Sequence, residues 1–391
     1  MDKKDIFIPC IISSIIFIIN PLLGILFLIS VMPFIKKKDN VFYVLFLLMS
    51  LFLGLINTTR SFDEGDLVSY LVTFESATRL DLLSFLKTLE KEPAYYIFMF
   101  FTNRISNVNF KIFILVNSSI SYYFYFISIF KINKKLYINN SNQLFAFLIA
   151  SLFFTLFSLS AHLMRQFIAT SIFLYFLVNR LFYKRNYWWL FLIALLCHTS
   201  VILFLPLIFI KKLGEKVRFQ NLLKIVFIPA FIIIIFTFFN SLFVSIGGPF
   251  SYISNRISES SFDDGGEIQL VTIIFTVILM TLSFITIYFK KRNNCGWIYF
   301  NHLVIITCFF VLTTQINYPL ISYRYSYFIF FFFPVVFSHY IRKRYFNDAV
   351  TIIKPVLAFS LVLFFGYMLE NGPFNYSPLL EIITNSVFYY F

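Results

Sequence analysis

The chain has 391 residues, of which 60% are hydrophobic and only 13% charged, and its mean hydropathy is +0.83. A soluble domain needs roughly a quarter of its residues charged to cover its surface, so a soluble fold is excluded. The formal charge of +14 is dispersed over short basic clusters between apolar blocks, a positive-inside pattern and not a nucleic-acid-binding surface.

Apolar blocks such as Phe191 to Ile210, Ile225 to Phe239 and Leu270 to Phe289 approach the about 20 residues that cross a bilayer as a helix. Helices satisfy their own backbone groups in lipid, and the short alternating segments of a transmembrane β-barrel are absent from the sequence. The sequence predicts an all-α, polytopic integral membrane protein: one transmembrane domain over residues 1–391 with about 11–12 transmembrane helices.

In chain order, residues 6–35 form an apolar stretch broken at Asn20-Pro21, read as one tilted span or two short ones, and retained as an anchor. A span follows from Val41 to Ile56. Residues 57–92 are a polar loop in which Leu67 to Phe74 and Leu80 to Leu89 have helical apolar spacing, predicting short amphipathic helices at the membrane surface. Glu92-Pro93 opens an apolar segment interrupted near Arg104 to Asn109. Further spans are predicted at 112–130, 143–159, 163–182, 187–210 and 223–247. A second acidic loop, 248–267, precedes spans at 268–289, 297–315, 325–341 and 350–369 and a short tail.

The basic clusters (Lys36 to Lys38, Lys131 with Lys134 and Lys135, Lys184-Arg185, Lys211-Lys212, Lys290 to Arg292 and Arg342 to Arg344) mark cytoplasmic loops, leaving the acidic loops outside. The alternation does not close across 36–131 or across 187–210. Broken or re-entrant helices resolve both conflicts. The four cysteines, Cys10, Cys197, Cys295 and Cys308, lack metal-ligand spacing and read as core residues.

Charges at bilayer depth cost about 2.5–3.5 kcal/mol each and call for a reason. In Ser160-Ala161-His162-Leu163-Met164-Arg165-Gln166, a continuous helix places His162, Arg165 and Gln166 on one face. That face would present a guanidinium, an imidazole and an amide to the outer side, and arginine suits phosphate oxygens. The bland alternative is snorkelling at a helix end. His198 lies deep in the 187–210 block, where a core histidine bonded to a neighbouring helix is the competing reading. Arg60, Asp63, Glu64, Asp66 and Glu92 gather in the first outer loop, Tyr323 and Arg324 at the mouth of a late span, and Arg256 in the second outer loop. No Walker A, dinucleotide, HExxH or GxSxG pattern occurs, so neither nucleotide nor zinc chemistry is indicated.

Five motifs carry a resemblance: Arg60 with Asp63, Asp66 and Tyr70; Glu92-Pro93-Ala94-Tyr95; Arg165-Gln166-Phe167-Ile168-Ala169; His198-Thr199-Ser200; and Arg324-Tyr325 with Tyr327-Phe328. In this order the sequence resembles Wzy-type O-antigen polymerases and the related EpsG group of exopolysaccharide polymerases. The resemblance implies a GT-C-like membrane glycosyltransferase of the bacterial inner membrane, working on its periplasmic side without metal or other cofactor. It would join undecaprenyl-pyrophosphate-linked oligosaccharide repeat units, with a chain-length regulator as partner and 57–92 and 248–267 as periplasmic loops. Arg165, with Arg60 or Arg324, would hold the donor pyrophosphate. Asp63, Asp66, Glu92 or His198 would take the acceptor proton. His162, Gln166, Arg256 and Tyr323 would contact sugar or phosphate. A glycan ligase of the same superfamily, a lipid-linked oligosaccharide flippase and a membrane acyltransferase are the competing readings.

Overall fold

The computed structural model describes residues 4–35, 38–62, 66–89, 92–136, 138, 140–215, 270–289, 294–315, 319–340 and 349–391. Every regular element among these residues is a helix, as the apolar blocks require. Among them, five helices are long and apolar enough to cross a membrane, and a pair bent by 50° is so when taken together. The chain is a multi-pass membrane protein. The expected span at 223–247 and the loop at 248–267 lie outside the described residues.

The chain divides into two compact units: Met1–Arg180 with Arg185–Val201 and Lys343–Phe391, and Leu181–Lys184 with Ile202–Arg342. In the first, α1 (Lys4–Ile19) and α2 (Pro21–Val31) fold back on each other, so residues 6–35 are two short helices. Asn20 makes the elbow: its side chain accepts from the Leu23 N–H and caps α2, with Pro21 in the first turn where no N–H is needed. Ser13 Oγ donates to the Gly24 carbonyl at 2.8 Å and ties the pair together.

The spine of this unit is α3 (Lys38–Thr58) against α7 (Phe110–Lys135), antiparallel. Lipid offers no hydrophobic drive between helices, so small residues and polar side chains make the seam. A Cβ on Gly54 would stand 2.7 Å from Ser119 Oγ and 2.9 Å from the Leu115 carbonyl, so only glycine admits this approach. One turn on, the buried Asn57 amide donates to Ser118 Oγ at 3.0 Å and to Ser160 Oγ at 2.9 Å. Asn57 thereby joins α3 and α7 to α9 (Phe154–His162). Helix α9 follows α8 (Asn140–Leu152) after a 50° bend at Phe153, so the expected 143–159 helix is interrupted there.

The expected amphipathic helices of the 57–92 loop are present as α4 (Asp66–Ser76) and α5 (Leu82–Lys87), the latter capped by Asp81 onto the Ser84 N–H. Helix α6 (Pro93–Ile105) is about 20 Å long at 1.5 Å per residue, short of a bilayer. Helix α10 (Met164–Tyr183) is a full span. Helix α11 (Trp188–Cys197) stops after ten residues, where His198 is extended and a 3-10 turn, Thr199–Leu203, follows. The expected break in 187–210 is therefore real.

Unit one has two chemically different ends. At one, Lys134 pairs with Asp39, Lys131 donates to Asn179 and Tyr175, Arg180 lies over Trp188, and Lys354 donates to Asn142. The other holds the C-terminus of α3, helices α4 and α5, the start of α6, the end of α9 and the tail of the chain. The Ser61 N–H donates to the Asn375 carbonyl there at 2.9 Å.

In the second unit, α12 (Phe204–Ile208) is followed by α13 (Leu270–Phe289), α14 (Cys295–Thr314) and α15 (Pro319–Tyr340), which pack together. Helix α14 is the centre: 83% of its apolar window is buried, against 33% for α13, whose aliphatic surface is left for lipid. His302 on α14 donates from Nδ1 to the Leu213 carbonyl at 2.7 Å, and Tyr299 donates to the Leu207 carbonyl. Helix α16 (Ala349–Asn371) returns the chain to the first unit, where α17 (Leu379–Thr384) closes the fold.

Candidate active site

Glu92 precedes α6 and has φ 56° and ψ 49°, a left-handed backbone. A residue before proline avoids helical backbone angles, and a non-glycine residue in the left-handed region stores on the order of 1–3 kcal/mol. Glu92 does not use its side chain to cap its own helix. The carboxylate instead turns inward, with 2% of the side chain exposed, and is shared between two partners. Arg165 Nη1 donates to Oε2 at 2.5 Å, and His198 Nε2 stands 3.8 Å from Oε1. The three residues come from α6, α10 and the break after α11.

Two tyrosines complete the arginine's surroundings. Arg165 Nε donates to the Tyr70 hydroxyl and Nη1 to the Tyr96 hydroxyl, each at 3.2 Å. Burial pushes the Tyr70 phenol up to about 12, so it is a neutral acceptor, and among the described residues Glu92 balances the guanidinium. Nη2 makes no hydrogen bond to a described residue, and 23% of the Arg165 side chain remains exposed. That free edge is the part of the cation available to a ligand.

The Ser200 N–H donates to His198 Nδ1 at 3.2 Å, with Ser200 Oγ 2.8 Å from the same nitrogen. A nitrogen that accepts from a backbone N–H carries no proton, so in the neutral ring the proton sits on Nε2, facing Glu92. The ring N–H faces the carboxylate from 3.8 Å, beyond hydrogen-bond distance.

The expectation that His162, Arg165 and Gln166 share one helix face is wrong. The helix breaks at Leu163 (φ −104°, ψ 53°), which closes α9 and lets α10 start at Met164. With the helix broken there, His162 stacks on Phe374, with ring centroids 5.6 Å apart. Gln166 is buried on α10. Phe374 also receives Arg60, whose Cζ lies 3.6 Å from the ring centroid while the residue is 3% exposed. Asp66, in the first turn of α4, lies in electrostatic range of both His162 and Tyr70 and so connects the two groups.

Of the residues singled out from sequence, Arg165, Glu92 and His198 meet directly, and Arg60, His162 and Asp66 form an adjoining group. Tyr323 and Arg324 belong to the second unit, at the start of α15. Asp63 and Arg256 lie outside the described residues. Tyr96 and Phe374 were not singled out. Tyr96 had a signal in its place beside Glu92-Pro93-Ala94-Tyr95, whereas Phe374 had none beyond the Asn371-Gly372-Pro373 turn before it.

The fold and this site define a multi-pass membrane protein with a buried carboxylate–guanidinium–imidazole group at one end of its first helical unit. The chain belongs to the EpsG family, whose model matches residues 41–380 and so takes in every residue of both groups. Neither the curated proteins nor the solved structures give a significant match. Family membership points to a polysaccharide-polymerase-type, glycosyltransferase-like role, in line with the resemblance read from the motifs.

Proposed function

We propose that the protein joins lipid-diphosphate-linked oligosaccharide repeat units into a surface polysaccharide, with Glu92, Arg165 and His198 as the catalytic centre. The observation that carries this reading is the buried Glu92 carboxylate, held at a helix break between Arg165 and His198 and facing a partly open guanidinium edge. The donor would be a glycan on undecaprenyl diphosphate. Its diphosphate approaches the free Nη2 edge of Arg165, with Arg60 as a second cation beside it. Competition for the guanidinium loosens the ion pair and frees Glu92.

Glu92 then takes the proton of the acceptor hydroxyl as that oxygen bonds to the donor's anomeric carbon. The bond from that carbon to the diphosphate oxygen breaks, and the electron pair leaves with the lipid diphosphate, whose developing charge Arg165 offsets while Arg60 helps to bind the diphosphate. His198 lines the far side of the carboxylate, 3.8 Å away. The basic end of the first unit would face the cytoplasm of a bacterial inner membrane and the site the periplasm.

Purified protein supplied with lipid-linked repeat units should lengthen glycans on the lipid and release one undecaprenyl diphosphate for each new linkage. Movement of those units across proteoliposomes with no new linkage would replace polymerisation by transport. Transfer onto a non-lipid acceptor alone would indicate a ligase.

A further inference from the structure

The C-terminal tail is strapped across the end of the first unit that carries the site. The Ser61 N–H donates to the Asn375 carbonyl at 2.9 Å, and the Ser377 N–H to Thr59 Oγ1 at 3.3 Å. These bonds flank Arg60 on one strand of chain and Tyr376 on the other, and Phe374 stands immediately before the first of them. Tyr376 is buried and packs on Phe157 of α9, with centroids 5.4 Å apart. Farther along, the Asn20 amide donates to the Ile383 carbonyl at 2.8 Å, fixing the tail to the α1–α2 elbow. The turn that launches the strap is tight: a Cβ on Gly372 would stand 2.2 Å from the Met368 carbonyl oxygen.

Within this strap Phe374 is gripped by two site residues, Arg60 through its guanidinium at 3.6 Å and His162 through ring stacking at 5.6 Å. An arginine side chain is otherwise among the costliest to immobilise, and the face of a desolvated aromatic ring attracts a cation. We infer that Phe374 is a positioning residue for the polymerase reaction, its ring pinning Arg60 and His162 beside the Arg165–Glu92 centre, so that the C-terminal tail is part of the active site. The inference rests on the proposed role of Arg60 as second cation. It adds that the last 20 or so residues of the chain help to place this cation.

Two measurements on the detergent-solubilised full chain test this. The first is modification of Arg60 by phenylglyoxal, read by peptide mass spectrometry with the exposed Arg79 as internal reference. Arg60 is protected in the wild type. Phe374→Leu, which keeps bulk but loses the π face, raises its modification rate about tenfold, and Phe374→Tyr leaves it unchanged. The second is steady-state polymerisation of lipid-linked units. Phe374→Leu raises KM about tenfold with kcat nearly constant, because a ground-state contact to diphosphate is lost, and Phe374→Tyr behaves as wild type. A variant that merely misfolds loses active protein, which lowers apparent kcat and leaves KM alone.

Equal Arg60 labelling in wild type and Phe374→Leu overturns the inference, as does a wild-type KM in Phe374→Leu. Absence of polymerisation by the wild type would count against the proposed function, while the labelling arm still decides whether Phe374 pins Arg60.

Discussion

Glu92 carries two costs, a left-handed backbone before a proline and a carboxylate nearly removed from solvent. Among the described residues only Arg165 compensates the charge fully, because the Tyr70 phenol is held neutral and His198 stands beyond hydrogen-bond distance. Removing the arginine should therefore harm the fold more than removing the acid. Arg165→Ala leaves a buried carboxylate alone and is expected to cost about 3–5 kcal/mol, whereas Glu92→Gln keeps the shape and leaves a cation with a path to solvent. Thermal unfolding in detergent should rank Arg165→Ala well below Glu92→Gln, and the reverse order would show that the pair is not the arginine's main service. This pairing was invisible to local sequence reading: Glu92 and Arg165 are separated by 73 positions, and no spacing rule on one helix connects them. The residues themselves were legible, because each is an ionisable group in or beside an apolar block. The roles were not, because which groups face one another depends on how three helix ends meet.

At the scale of elements, the site is made by interruptions. Helix α6 begins just after Glu92, α9 ends at His162, α10 begins at Met164 and α11 ends at Cys197. Apolar blocks announce helices in the sequence, but a run such as Leu163-Met164 contains no glycine or proline and gives no sign of a break. A face drawn across it therefore misassigns His162. The break at His198 was anticipated by charge bookkeeping, since basic clusters on both flanks of 187–210 do not fit one straight crossing. The α3–α7 seam gives a separate prediction. Gly54→Val inserts two methyl groups and a Cβ where the Ser119 hydroxyl and Leu115 carbonyl already stand within 3 Å, so the helices must part. Overpacking of this kind costs about 1–3 kcal/mol. A lower melting temperature, with Ser50 on the same helix tolerating alanine far better, is the expected outcome. An unchanged melting temperature for Gly54→Val would mean the seam is looser than described.

Over the whole molecule, the asymmetry of charge is what turns a set of helices into an oriented device. Lys131, Lys134, Arg180 and Lys354 gather at one end of the first unit and the site at the other, separated along α10 by about 21 Å from Arg165 to Asn179 at 1.5 Å per residue. The proposed orientation, with the basic end in the cytoplasm by the positive-inside rule, can be tested directly. In a background with the native cysteines replaced, a cysteine at the exposed Ser69 should react with a membrane-impermeant maleimide added to intact spheroplasts. A cysteine at Lys135 should react only after permeabilisation. Labelling in the opposite sense would invert the molecule and take the site away from the periplasm. The tail contributes at this scale too, since Phe374 comes to Arg60 from the far end of the chain.

The most direct test of the catalytic centre is single-turnover glycan transfer by Glu92→Gln in protein shown to be folded and to bind undecaprenyl diphosphate as the wild type does. If Glu92 takes the acceptor proton, the transfer rate falls at least about a hundredfold with binding retained. A transfer rate equal to that of the wild type would contradict the account and leave Glu92 as no more than the partner of a structural arginine.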